Sequence, residues 1–134
     1  MPTKTKTKAE IADIIKRIEL ISGENIYKCY QCGKCTAGCV MAGEMDISPY
    51  KVIRMIQLGL VEKALESESM WLCAACFACR ERCPKEVDLS KIMEALRVIQ
   101  VRDGKPLIEP EEVADEVIEE MPQQGIVSAF RKYN

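Results

Sequence analysis

Along most of this chain apolar residues recur at helical spacing, and no stretch sustains the apolar–polar alternation of a half-buried strand. Ile11, Ile14, Ile15 and Ile18 predict an amphipathic helix from about Lys8 to Ile21, with Gly23 as its C-cap. Its stripe needs cover, from the rest of the chain or from a partner. Ser48 and Pro49 read as N-cap and first helical residue of a second helix. Val52, Met55, Ile56 and Leu60 are its core-facing stripe. Gly59 breaks it, Leu60–Glu66 forms another short helix, and Ser67 or Ser69 caps the turn into Cys73. A third long stripe, Leu89, Ile92, Met93, Leu96 and Ile99, follows Asp88 as N-cap and stops at Gly104 and Pro106. The pattern predicts an all-α fold.

The two ends differ in character. Residues 1–8 alternate Lys4, Lys6 and Lys8 with threonines and read as a solvated tail. From Glu109 to Glu120 there are seven acidic residues and no basic one. Pro110 can start a helix with a thin apolar edge of Val113, Val117, Ile118 and Met121, broken at Gln123, Gln124 and Gly125. Ile126, Val127 and Phe130 then stand beside Arg131 and Lys132. This end reads either as an acidic surface helix plus tail or as a strap along a larger subunit. The expected organisation is a tail and helix over 1–24, a central domain over 25–104, and a partner-contacting extension over 105–134.

The chemistry lies between these helices. Cys29, Cys32, Cys35 and Cys39 spell C-x2-C-x2-C-x3-C. Cys73, Cys76, Cys79 and Cys83 repeat it 44 positions later, followed by Pro84. This is the ligand run of a ferredoxin with two [4Fe–4S] clusters, in which the fourth cysteine of each run serves the other cluster. The spacing therefore assigns one cluster to Cys29, Cys32, Cys35 and Cys83, and the other to Cys73, Cys76, Cys79 and Cys39. Two other readings compete. Zinc held by four thiolates usually takes two separated C-x2-C pairs, whereas here four cysteines fall within eleven residues. A disulfide framework goes with secretion, and MPTKTKTKAE shows no apolar h-region.

Ile47–Ile53 can be laid on Val87–Met93, with Asp88 in the place of Ser48. Each half is thus a cysteine loop followed by a helix, a pseudo-two-fold repeat around two clusters. The 33 residues between Cys39 and Cys73 read as helix, unlike the short strand-forming link of a β-type ferredoxin. Gly33 and Gly38 lie in the first loop, where tight curvature favours a residue without Cβ. Phe77, Trp71, Leu72 and Met41 are expected to form the apolar shell around the clusters. Lys34, Arg80 and Arg82 are open to two readings, raising the potential or docking a partner.

Composition excludes several functions. The net charge of −2 gives no footprint for nucleic acid or an anionic membrane surface. The most apolar stretch, residues 52–61, holds Arg54 and Gln57 and is too short to span a bilayer. Histidine is absent, which removes Rieske ligation, bis-His haem and His-based catalysis. No dinucleotide or Walker fingerprint is present. A cluster held by four thiolates has no open coordination site, so the chain reads as an electron relay without a small-molecule substrate of its own. Thiolate ligands place it in a reducing compartment, the cytoplasm, in an oxygen-poor setting.

YKCYQCGKCTAGCV, ISPYKVIRMIQLGL and WLCAACFACRERCPKEVDLSKIMEALR together resemble the C subunit of heterodisulfide reductase. The likeness runs from about Tyr27 to Gly104, and the PQQGIVSAFRKY tail is similar as well. The resemblance implies a helical ferredoxin domain with two [4Fe–4S] clusters that relays electrons from a flavin-containing A subunit to a B subunit. The latter holds adjacent-cysteine CCG motifs and reduces the CoM–CoB heterodisulfide of methanogens, in a complex that can include a hydrogenase or formate dehydrogenase. No two cysteines are adjacent here, so the catalytic step is not expected on this chain. Two further classes stay open, an iron–sulfur subunit of another anaerobic oxidoreductase and a free ferredoxin or cluster-based sensor.

Overall fold

The computed structural model describes residues 7–102 and 112–130. Among the described residues there are helices and turns and no strand. Helix α1 runs over Lys8–Ser22, α2 over Lys34–Ala37 and α3 over Pro49–Gln57. They are followed by α4 (Val61–Glu66), α5 (Ser69–Leu72), α6 (Ala78–Arg82) and α7 (Leu89–Arg102). Beyond them lie α8 (Asp115–Glu120) and α9 (Gln123–Phe130), and a 3-10 turn at Ile26–Lys28 precedes the first cysteine. The chain divides by its contacts after Ile99, so α1 lies in one unit with both cysteine loops. No helix among the described residues is long and apolar enough to cross a membrane.

Local chemistry explains the boundaries. Thr7 and Glu10 form a reciprocal capping box at the start of α1, with the Thr7 amide 2.6 Å from Glu10 Oε2. Gly23 closes that helix in the left-handed conformation, at φ 70°. Ser48 and Pro49 take the expected positions in α3, but the Ser48 side chain makes no capping bond. The Tyr50 amide instead donates to Thr36 Oγ1 at 3.1 Å, so a side chain from the first loop caps α3. Ser67 bonds back to Ala64, and Ser69 ties α5 to the segment before α3, so neither serine caps the turn as expected. Leu60 sits between α3 and α4, 42% exposed, and leaves the core stripe.

One core serves the first unit. Ile14 and Ile18 of α1 pack with Ile26, Val52, Ile56, Val61, Met70, Ile92, Met93, Leu96 and Ile99. The stripe of α1 is therefore covered by the same chain. In the second unit the break between helices falls at Met121 and Pro122, and the Pro122 carbonyl accepts from Gly125 and Ile126. Gln123, Gln124 and Gly125 open α9 and do not break a helix, because a proline lacking its N–H ends α8 first. Lys4, Lys6, Gly104, Pro106, Pro110, Arg131 and Lys132 lie outside the described residues.

Asp46 fastens the long link between the two cysteine loops. Its Oδ1 accepts from the Ser69 hydroxyl at 2.6 Å and from the Ser69 amide at 3.0 Å. Desolvation pushes this carboxyl up, but the Ser69 hydroxyl and the amides of Glu68 and Ser69 outweigh it and hold the group below its ordinary range. A carboxyl depressed in the folded state adds stability above its unfolded value of about 3.9, and loses it as pH falls through the lower folded value. Urea unfolding midpoints between pH 6 and 3 should thus fall more gently in Asp46→Asn than in the parent protein. Parallel curves would show that Asp46 contributes no linkage.

Candidate metal centre

The eight cysteines stand at the tips of two equivalent loops. In the first, Gln31 and Gly33 adopt positive φ, at 66° and 77°; in the second, Ala75 and Phe77 do, at 51° and 60°. These are the same two positions of the 44-residue repeat, so the backbone path is copied where the side chains are not. The left-handed residues turn the chain between successive cysteines, aiming three thiols inward from one loop. Phe77 takes a conformation natural to glycine and uncommon for a bulky residue, and its ring is 49% exposed. It therefore does not join the apolar shell expected of it.

After two cysteines each loop enters a short helix, α2 or α6, that carries the third, and the two helices pack against each other. They are equivalent in the repeat. The Arg82 side chain lies over Gly38, where an added Cβ would come within 2.8 Å of Cζ and push that exposed side chain aside. The packing carries the fourth cysteine of each run across to the other loop. Cys29, Cys32, Cys35 and Cys83 line one cavity, with Tyr50, Ile53, Val87 and Leu89 in its wall. Cys73, Cys76, Cys79 and Cys39 line the other, with Met41, Met45, Pro49, Leu89 and Met93. Leu89 stands in both walls, so the two cavities adjoin.

All eight cysteines are free thiols. Cys32 and Cys76, the middle thiol of each loop, are exposed, and the other six are partly buried. Four thiols line each of the two cavities, three of them from a single loop, whereas zinc held by four thiolates usually takes two separated C-x2-C pairs. That donor set, all thiol around an apolar wall, fits a polynuclear cluster better than a single ion.

Neighbouring groups act on the sulfurs. Gln31 Nε2 donates to Cys29 Sγ at 3.3 Å, and the Val87 amide donates to Cys83 Sγ at 3.3 Å. The Ser90 hydroxyl lies 3.4 Å from Cys79 Sγ. Burial, first of all, pushes the Cys35 thiol up, while hydrogen bonds at Thr36 pull it down and the charges of Cys29 and Cys79 push it up again. Desolvation, then the charges of Cys32, Cys83 and Cys29, raise the Tyr30 phenol. Lys85 sits 6.0 Å from the Tyr30 ring centroid.

Of the basic residues singled out in the sequence, Lys34 is exposed, Arg82 covers Gly38, and Arg80 Nη1 faces Asp88 Oδ2 at 3.9 Å. Asp88 itself is 1% exposed and accepts from the Lys91 amide at the start of α7. Trp71 packs on the core, while Met41 lines a cavity. Sequence reasoning missed Met45, Leu89, Met93, Gln31 and Ser90. Gln31 carried a signal in its place between two cysteines; Leu89, Ser90 and Met93 are brought in by the return of α7, and Met45 by the segment before α3.

Residues 25–87 match the family model of the 4Fe-4S dicluster domain. The chain is 34% identical over 112 residues to the iron-sulfur C 2 subunit of CoB–CoM heterodisulfide reductase from Methanocaldococcus jannaschii, covering 81% of this chain and 60% of that protein. It is 32% identical to the C2 subunit of the H(2)/formate:CoB-CoM heterodisulfide,ferredoxin reductase of Methanococcus maripaludis, over 78% of this chain and 58% of the relative. With the C subunit of the ferredoxin:CoB-CoM heterodisulfide reductase of Methanosarcina acetivorans the identity is 35%, over 74% and 39%. The chain thus spans 60% or less of the length of these curated relatives.

Proposed function

This chain is a homologue of the heterodisulfide reductase C subunit, built on a 4Fe-4S dicluster domain, and from that premise we propose that it relays single electrons between two other subunits in a disulfide-reducing complex. Two [4Fe–4S] clusters are held, one by Cys29, Cys32, Cys35 and Cys83, the other by Cys73, Cys76, Cys79 and Cys39. The observation that carries this reading is the division of eight thiols between two adjoining cavities, four to each, with every thiol used. When bound, such a cluster accepts and donates one electron at a time.

The chain's own residues supply the rest. Four thiols at each site leave no position open for a substrate. Met41, Met45, Met93, Ile53, Val87 and Leu89 exclude water from the inner sides of the sites. Gln31 and the Val87 amide donate to sulfur, and the Ser90 hydroxyl is placed to do so once Cys79 is a thiolate, which favours the reduced state of whatever the thiols hold. The shared Leu89 wall keeps the transfer distance short. Exposed Cys32 and Cys76 mark the sides on which electrons enter and leave.

The donor is a flavin-containing A subunit, and the acceptor is a B subunit with CCG motifs that reduces a CoM–CoB type heterodisulfide. A hydrogenase or formate dehydrogenase module stands upstream, and the setting is the cytoplasm of an anaerobe. Anaerobic affinity purification from the native cell tests this. Co-elution of a flavoprotein and a CCG-motif protein is the expected result. A different dehydrogenase would keep the relay and overturn the named complex, and a partner-free monomer would favour a diffusible ferredoxin. The purified chain should carry about eight irons, four at each site. One zinc per loop instead would overturn the cluster reading.

A further inference from the structure

The repeat contains a second pair of equivalent residues that no cysteine pattern reveals. Gln57, the last residue of α3, reaches back to the first loop. Its Nε2 donates to the Ile26 carbonyl at 2.8 Å and to the Cys29 carbonyl at 2.9 Å. Arg97 of α7 does the same in the other half. Its Nε donates to the Met70 carbonyl at 2.5 Å, and its Nη2 to the Cys73 carbonyl at 3.0 Å. Met70 and Cys73 each lie 44 positions after Ile26 and Cys29. Arg97 lies 40 after Gln57, the offset that superposes the two following helices. Both are clamps that hold the first cysteine of a loop, and the residue three before it, against the returning helix.

The two clamps differ in charge. Gln57 is neutral, whereas a guanidinium stays protonated under all working conditions. Arg97 is partly buried and pairs with no carboxylate among the described residues. Partial burial leaves its charge less screened than in open water, and it sits on the carbonyl of a residue whose thiol lines the Cys39–Cys73–Cys76–Cys79 cavity. A fixed cation stabilises the state with one more electron and raises the reduction potential of the group it faces.

We propose that Gln57 and Arg97 are matched loop clamps, and that the Arg97 charge raises the potential of the cluster held by the second loop, making the two halves of a near-symmetric relay electronically unequal. The role is one of positioning and tuning, and it rests on the two-cluster reading above. Other terms of the same sign act on both sites, since Gln31 and Val87 donate to sulfur in the first and the Ser90 hydroxyl lies 3.4 Å from Cys79 Sγ in the second. The clamp charge is separable from them because glutamine can keep hydrogen bonds that arginine makes.

The test is an EPR-monitored reductive titration of the anaerobically purified protein. In Arg97→Gln one of the two midpoint potentials should shift downward while the other stays, and Arg97→Lys should remain close to the parent. In Gln57→Arg the other potential should shift upward. Two intact clusters with unmoved potentials in Arg97→Gln would overturn the proposal and leave the two-cluster reading standing. An equal shift of both potentials would overturn it as well. If Arg97→Gln does not assemble, Gln57→Arg decides, with no shift counting against. Parent protein without two four-iron signals would bring down both readings together.

Discussion

Cys39→Ser is expected to abolish the cluster built on Cys73, Cys76 and Cys79, and to leave the one built on Cys29, Cys32 and Cys35 spectroscopically intact. Cys39 belongs to the first run by sequence but lines the second cavity, because α2 and α6 pack side by side and carry each fourth thiol across. A serine hydroxyl is a poor replacement for a thiolate, the soft ligand such clusters take. About half of the bound iron should be lost, roughly four atoms of eight. Cys83→Ser should give the mirror result. Iron analysis with EPR of the reduced protein distinguishes the two losses. A loss confined to the Cys29–Cys35 side in Cys39→Ser would overturn the assignment, since it would mean that each run serves its own cluster.

Ile18→Ala should destabilise the protein by about 2–5 kcal/mol, the usual cost of removing a buried isoleucine side chain and leaving a cavity. Ile18 has no exposed surface and packs in one core with Ile26, Met70 and Ile92, beside both loops. The two cysteine loops stand on that core through Ile26 and Met70, the residues held by Gln57 and Arg97. The variant should therefore lower the unfolding midpoint and hasten the loss of iron together. Anaerobic urea unfolding followed by helix signal and cluster absorbance measures both. A change under about 1 kcal/mol would show that α1 is only loosely attached.

These two outcomes bear on different levels of the molecule. The cysteine partition depends on where two four- or five-residue helices cross. The core prediction depends on α1, whose apolar stripe was plain in the sequence but whose cover was not. Periodicity identifies a face that must be buried; it says nothing about what buries it. The same limit explains Leu60, which fits the helical spacing of its neighbours yet stands half exposed, because Gly59 turns the chain before it.

Some missed signals were present. Thr7-x-x-Glu10 is a capping box that could have been read directly, and Pro122 could have been seen as the break between α8 and α9. Others had no sequence form. Left-handed backbone at Gln31, Ala75 and Phe77 follows from the demand that three thiols face inward, not from the residues that supply it. The capping of α3 by Thr36 joins residues 14 apart in sequence, and no local rule reaches that far.

The sequence by itself determined the helices, the doubled cysteine pattern with its pseudo-two-fold repeat, and the class of metal group the thiols suit. Those features are carried by spacing within a few residues, and short-range geometry follows from spacing. Only the tertiary structure decided which wall residues close the two cavities, which helix covers which stripe, and that Gln57 and Arg97 occupy one role with different charge. Each of these depends on segments tens of residues apart meeting in space, and such meetings are set by the packing of the whole core, to which no local pattern has access.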